Sequence, residues 1–211
     1  MREAFAHVRL WIFDLDNTLY PRPEGLWKQV DARMRGFIAK RLGVPEDEAH
    51  RIQKDYFRRY GLTVRGLMLE HGVEPDDFNA HVHDVDLRHV TATTGLPEAI
   101  AALPGRRIVH SNADRGHVGR ILARIGLSDA LDAVHSLESL GYVPKPSPES
   151  YASVLEAEGA DPTRAAMFED IPANLAEPAR LGMRTVMVGT EERGEADFAT
   201  TDLAGFLRAV T

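Results

Sequence analysis

The second half of this 211-residue chain alternates between two hydrophobic rhythms. Four short apolar runs, RRIVH, DAVH, AAMF and RTVMV, are each flanked by turn residues. Between them lie HVGRILARIG, SPESYASVLEAEG and ANLAEPARLG, whose apolar positions recur at helical spacing. Short strands alternating with helices imply a parallel sheet joined by right-handed crossovers. An earlier run, Val8 to Phe13, has the same buried-strand character and joins that sheet as its first strand. The predicted fold is α/β: a doubly wound, Rossmann-like parallel sheet built from residues 1–20 and 95–211.

Residues 21–94 break the alternation. In WKQVDARMRGFIAKRLG, residues Trp27, Val30, Met34, Phe37, Ile38 and Leu42 recur near i, i+3, i+4. PEDEAHRIQKDYFRRYG, TVRGLMLEHG and EPDDFNAHVHD continue in that style, with no good strand. A helical subdomain inserted after the first strand is the reading. In the later helix opened by SPESY, Ser147 is predicted to cap and Pro148 to occupy the first turn.

Ligands of open α/β sheets bind at the carboxyl ends of the strands. That rule selects Asp14 and Asp16 after the first run, Ser111 and Asn112 after RRIVH, and Glu169 and Asp170 after AAMF. On an extended chain, Asp14 and Asp16 point to one side and repel unless a cation separates them. A hard divalent ion with oxygen ligands resolves the conflict. A bare DxD also occurs as a pair of solvated turn acids, and Glu169-Asp170 also suits a helix N-terminus. Two acid pairs at strand ends of one sheet are less easily dismissed, and together they offer a setting for Mg²⁺. An EF-hand is excluded, because Leu19 stands where its loop needs Gly and Gly25 where it needs Glu.

The chain has four lysines, and Lys145 is the only one in its last 157 residues. Pro144 and Pro146 flank it and stiffen its loop. An ammonium at that point suits contact with one phosphate oxygen. Ser111 and Asn112, ahead of a helix beginning near Asp114, suit an anion cradle or simple N-capping equally. His110 and His135 are read as packing in or beside the sheet.

Composition narrows the classes. With 44% hydrophobic and 27% charged residues the chain can bury a core. A net charge of −7 disfavours a nucleic-acid polymer as partner. The absence of cysteine removes disulfides, thiolate nucleophiles and Cys-ligated zinc. No stretch approaches a membrane span, and MREAFAHVRLWIF does not read as a signal peptide, so a cytoplasmic location is expected.

Taken in order, FDLDNTLY, VHSNA, YVPKPSPESY and FEDIPANL resemble the four motifs of the haloacid dehalogenase (HAD) superfamily, over nearly the whole chain. The helical insert resembles the cap that superfamily carries after its first motif. LDNTLYP, YGLTVRGL, HVHDVD and the later LGM are similar to pyrimidine 5′-nucleotidases. The resemblance implies a Mg²⁺-dependent phosphate monoester hydrolase working through an aspartyl-phosphate, with a nucleoside 5′-monophosphate as substrate. It implies Asp14 as nucleophile, Asp16 as general acid/base, and Ser111, Asn112 and Lys145 as phosphoryl ligands. The metal falls to Asp14, Asp16 through its main-chain carbonyl, Asp170 and Glu169, the last directly or through water. Asn174 supports them from behind. Ser111 replaces a frequent threonine, and Glu169 a frequent aspartate. A dehalogenase needs no proton donor such as Asp16, which favours phosphoester chemistry. In the insert, the stretch around Tyr60, Gly61, Arg65, His83 and Asp84 is where nucleoside contacts are sought, with Tyr56, Phe57 and Tyr60 as stacking candidates. The alternatives kept open are a phosphatase for a sugar phosphate or phosphoglycolate, a phosphotransferase or mutase, and a low-turnover phosphometabolite-binding regulator.

Overall fold

The computed structural model describes residues 1–211, which divide into two compact units: Met1–Arg22 with Val90–Thr211, and Pro23–His89. The first unit is built on a six-stranded sheet: β1 Leu10–Phe13, β2 Arg106–His110, β3 Ala133–His135, β4 Ala165–Glu169, β5 Arg184–Val188 and β6 Phe198–Thr200. The strand order is β3-β2-β1-β4-β5-β6, and every neighbouring pair is parallel. The helices, in chain order through both units, are α1 Arg2–Phe5, α2 Leu26–Leu42, α3 Glu46–Tyr60, α4 Thr63–His71, α5 Pro75–Val82, α6 Leu96–Ala101, α7 Arg115–Ile125, α8 Pro148–Glu158, α9 Ala173–Arg180 and α10 Leu203–Val210.

The two-residue period of β1 explains its place at the centre. Leu10 and Ile12 face one side, into a cluster with Ile108, Val154, Met167, Leu175 and Met183. Trp11 and Phe13 face the other side, where both stack on Phe168 and where Trp11 stacks on Phe5. All four β1 residues are buried, as a strand covered on both faces requires. Trp11 Nε1 donates to the carbonyl of Pro104 at 2.8 Å, so the indole is buried without an unpaired donor. The connection into β2 depends on Gly105, whose φ is +90° and where a Cβ would lie 2.2 Å from the Arg9 carbonyl oxygen.

The second unit consists of α2 to α5, with no strand. Its helices pack closely enough that a Cβ on Gly66 of α4 would lie 2.4 Å from the Tyr56 ring of α3. Gln53 Nε2 donates to Asp31 Oδ1 at 2.9 Å, joining α3 to α2. No helix in the chain is long and apolar enough to cross a membrane.

Two expectations are corrected, and one strand is added. β6, only three residues long, has too short an apolar run to stand out in the sequence. Val8 is buried but precedes β1, because its amide donates to the Phe5 carbonyl in a turn. Ser147 occupies the N-cap position of α8, yet its side chain makes no capping bond, and its hydroxyl donates to the Glu149 carboxylate instead.

Candidate active site

The strand order reverses across β1, with β2 on one side and β4 on the other, so crevices open at its carboxyl end. The register sets the contents of that end. Phe13 pairs with Val109 and with Phe168, so the residues following β1, β2 and β4 emerge side by side. The Asp14 amide donates to the Phe168 carbonyl at 2.9 Å, which fixes the first residue beyond the strand.

Lys145 enters this space from the loop before α8. Its ammonium donates to Asp14 Oδ1 and to Glu169 Oε2, each at 2.7 Å. All three groups are buried, with Lys145 at 3% exposure, Asp14 at 6% and Glu169 at 1%. Asn112 holds the lysine's main chain: its Nδ2 donates to the Lys145 carbonyl at 3.0 Å, and its Oδ1 accepts from the Lys145 amide at 2.8 Å. The Lys145–Pro146 peptide bond is cis. Glu169 Oε1 accepts from the amides of Asp170 and Ile171, both at 3.2 Å. Glu169 thus ties the ammonium to the turn that leads into α9. Asp170 is less buried and accepts from Asn17 Nδ2 at 3.1 Å.

The Asp16 carboxylate has partners of its own, although its charge still bears on Asp14. The chain leaves the extended conformation after Phe13, and the Leu15 carbonyl accepts from the amides of Thr18 and Leu19. A turn therefore begins at Leu15, one residue beyond Asp14. Asp16 Oδ1 accepts from the Tyr20 hydroxyl at 2.5 Å and lies 3.5 Å from Nε2 of His117 on α7. The cation between like-charged carboxylates is Lys145, and the carboxylates it separates are Asp14 and Glu169.

Ser111 is buried, and its Oγ accepts from the Ala113 amide at 3.1 Å. Asp114 caps α7 through its carboxylate, which accepts from the His117 amide at 3.0 Å. Asn174 is buried at the start of α9, and its carbonyl accepts from the Tyr151 hydroxyl of α8 at 2.7 Å. His110 is buried beside the sheet with Nε2 2.8 Å from Ser150 Oγ.

The charge balance is uneven. Burial, reinforced by Glu169 and opposed by Lys145, pushes the Asp14 carboxyl up to about 7. Glu169 is raised by burial against the pull of Lys145, and Asp170 by burial and by Asp14. Burial alone would lower the Lys145 ammonium, but Asp14 and Glu169 outweigh it and hold the group charged. One ammonium leaves this set of acids with excess negative charge. Oxygens of Asp14, Glu169 and Asp170 lie within 4.8 Å of one another, and all are hard donors. That donor set and that charge deficit fit a divalent ion such as Mg²⁺.

The residues sequence reasoning did not single out are Tyr20, His117 and Asn17. Tyr20 stands four residues after Asp16 and Asn17 directly after it, both inside the quoted FDLDNTLY. The turn that brings them onto the acids leaves no mark in the hydrophobic pattern. In the helical unit, Tyr56 is buried with its hydroxyl 2.6 Å from His71 Nε2, while Phe57 is 60% exposed. The Tyr60 hydroxyl donates to the Glu70 carboxylate, and Asp84 pairs with Arg33 at 2.6 Å.

A doubly wound parallel sheet gathers acids from two strand ends around a buried lysine. The chain belongs to the haloacid dehalogenase-like hydrolase family, whose model matches residues 8–182. It is similar to Phosphate metabolism protein 8 of Saccharomyces cerevisiae, 23% identical over 196 residues; the match takes in 85% of this chain and spans 61% of the yeast protein's length. It is 26% identical to the validoxylamine A 7′-phosphate phosphatase of Streptomyces hygroscopicus subsp. limoneus over 211 residues, covering 91% and 92% of the two chains. Among solved structures, a HAD phosphatase from Thermococcus onnurineus shares the fold at a TM-score of 0.67 and 18% identity, covering 96% of this chain and 98% of that one. An L-2-haloacid dehalogenase from Xanthobacter autotrophicus shares it at a TM-score of 0.60 and 20% identity, with the same coverage.

Proposed function

We propose that the protein is a phosphate monoester hydrolase that works through a phosphorylated Asp14, with a pyrimidine nucleoside 5′-monophosphate as its substrate. The observation that carries the reaction class is the division of labour between two acids. Asp14 sits beside a buried ammonium at 2.7 Å, while Asp16 is held separately on Tyr20. A carboxylate nucleophile and a second carboxyl that can donate a proton are what displacement of an alkoxide from phosphorus requires. Displacement of a halide requires only the first, so Asp16 disfavours the chemistry of the dehalogenase neighbours.

In the first step an Asp14 carboxylate oxygen forms a bond to phosphorus as the ester oxygen departs, and that oxygen takes the proton of Asp16. In the second, water attacks the phosphorus of phospho-Asp14 and gives its proton to Asp16. Phosphate leaves and Asp14 is restored. Lys145 is assigned to neutralise the phosphoryl oxygens, with Ser111 and Asn112 as their further ligands. The site fits Mg²⁺, which Asp14, Asp170 and the Asp16 carbonyl would hold with Glu169 behind them. When bound, the ion offsets the negative charge that Lys145 alone leaves uncompensated. Asn174 supports this edge from the first turn of α9. The relatives named as phosphatases support the monoester class. The nucleotide preference rests on the resemblance of LDNTLYP, YGLTVRGL and HVHDVD to pyrimidine nucleotidases. The protein is proposed to work in the cytoplasm on this small metabolite, with residues 21–94 as its cap subdomain.

The test is phosphate release across nucleoside monophosphates, sugar phosphates and phosphoglycolate, with Mg²⁺ or with chelator. Preferential release from pyrimidine nucleotides, lost with chelator and in Asp14→Asn, is the expected result. Near-normal release by Asp14→Asn overturns the nucleophile. Equal rates on all esters overturn the nucleotide preference and leave the monoesterase.

A further inference from the structure

The contact between Tyr20 and Asp16 decides more than where Asp16 lies. Tyr20 is 1% exposed, among the largest fully buried side chains of the protein. A phenol hydroxyl carries its proton at neutral pH and can donate it to a neighbouring carboxylate oxygen. A hydroxyl that donates to Oδ1 at 2.5 Å makes Oδ1 an acceptor. Nε2 of His117, from a side chain 1% exposed, approaches the same oxygen at 3.5 Å. The two oxygens of Asp16 are therefore not equivalent. Oδ1 faces two buried side chains, and the Tyr20 hydroxyl donates to it.

We infer that Tyr20 is a positioning residue for proton delivery: by occupying Oδ1, it confines the transferable proton of Asp16 to Oδ2 and holds that oxygen in the one orientation that serves the leaving group. The inference rests on the reading of Asp16 as proton donor. The balance of the step is simple. The O–H bond at Oδ2 breaks, the ester oxygen takes that proton as its bond to phosphorus breaks, and Asp16 is left as a carboxylate accepting from Tyr20. The Tyr20 hydroxyl keeps its own proton throughout.

A group that only supports the fold slows all substrates alike. A group that aims a proton matters most where the leaving group needs one. An alkoxide, as from a nucleoside monophosphate, needs it; a nitrophenolate leaves as a stable anion. kcat/KM reads the reaction through formation of phospho-Asp14, so it isolates this step. Tyr20→Phe keeps the ring and removes the hydroxyl. It is expected to lower kcat/KM by about 10- to 100-fold for a nucleoside monophosphate and by less than about threefold for p-nitrophenyl phosphate. The ratio of the two does not depend on how much of the preparation is folded. Tyr20→Met, which removes the hydroxyl through different packing, is expected to shift the ratio in the same sense.

Asp16→Asn is the control. A larger shift of the ratio in Asp16→Asn with none in the Tyr20 variants overturns this inference and leaves Asp16 as the donor. An unchanged ratio in Asp16→Asn overturns both. Absence of phosphate release from either ester by the unaltered protein overturns the hydrolase reading beneath them.

Discussion

Asn112 holds Lys145 by its main chain at both ends of one peptide-like amide, donating to the carbonyl at 3.0 Å and accepting from the amide at 2.8 Å. The second residue after β2 thereby sets the height at which an ammonium from a distant loop reaches Asp14. Both the nitrogen and the oxygen of the side-chain amide take part in this, so loss of the side chain reaches the lysine as well as any ligand. Asn112→Ala removes two hydrogen bonds of about 1 kcal/mol each. Activity is expected to fall at least tenfold through kcat, with thermal stability lowered by a few degrees. Phosphate-release kinetics and a melting curve on one preparation check both.

Lys145 presents a stronger case, since its ammonium is buried against two carboxylates. Lys145→Met leaves Asp14 and Glu169 without their counter-ion. Breaking a buried pair from one side costs about 3–5 kcal/mol. The double variant Lys145→Met with Glu169→Gln removes one of the stranded charges, and is expected to regain a substantial part of that loss while remaining inactive. Denaturant unfolding of the two variants beside the unaltered protein checks the order of stability.

Gly66 faces the Tyr56 ring, and a Cβ there would stand 2.4 Å from Tyr56 Cγ. Alanine is otherwise the better helix former by about 1 kcal/mol. Here overpacking is expected to reverse that preference, so that Gly66→Ala destabilises by about 1–3 kcal/mol. Gly36 of α2 has nothing within 4 Å of the same position, so Gly36→Ala is the matched control and is expected to stabilise slightly. Chemical unfolding of the pair separates the two signs.

These contacts show what the sequence could and could not disclose. The alternation of strands and helices was legible because buried parallel strands must be apolar on both faces, as LWIF and AAMF are. Asp14, Glu169, Asp170 and Lys145 were legible because strand ends and loop prolines leave marks in the chain. The partners of Asp16 were not, since Tyr20 reaches it only through the turn closed by the Leu15–Leu19 hydrogen bond. Nor was the use of Asn112, because an amide that grips a lysine's main chain and one that faces a ligand look alike in sequence. β6 was missed for its length, three residues being too few to carry a period.

His110 is fully buried beside Ser150, and burial, with Lys145 and His135 adding, holds its imidazole well below the usual histidine range. The unfolded chain binds that proton near pH 6.5 and the folded chain does not. Stability therefore falls as pH drops below about 6.5, by at most about 1.4 kcal/mol per pH unit from this group. His110→Gln can keep a contact with Ser150 and has no proton to gain. The difference in unfolding free energy between the two proteins is expected to shrink or change sign between pH 7 and pH 5. A constant difference across that range shows that the imidazole is not held neutral.

The three acids proposed to hold a metal provide a test that does not depend on turnover. Oxygens of Asp14, Glu169 and Asp170 gather within 4.8 Å, and each carboxyl is raised by the burial it shares with the others. A divalent ion that binds only the folded chain stabilises it by mass action, by about 2.7 kcal/mol at a hundred times its dissociation constant. In a chain of this size that corresponds to a rise of about 5–10 °C in Tm. Mg²⁺ is expected to produce a saturating rise of this order, and chelator to reverse it. Asp170→Asn keeps the shape of the side chain and removes one charge without touching Lys145, so it is expected to shift the midpoint of that titration to much higher Mg²⁺. Thermal melts across a Mg²⁺ series read the result directly. An Asp170→Asn curve superimposed on that of the unaltered protein would place the ion elsewhere in the chain and leave the acid cluster balanced by Lys145 alone.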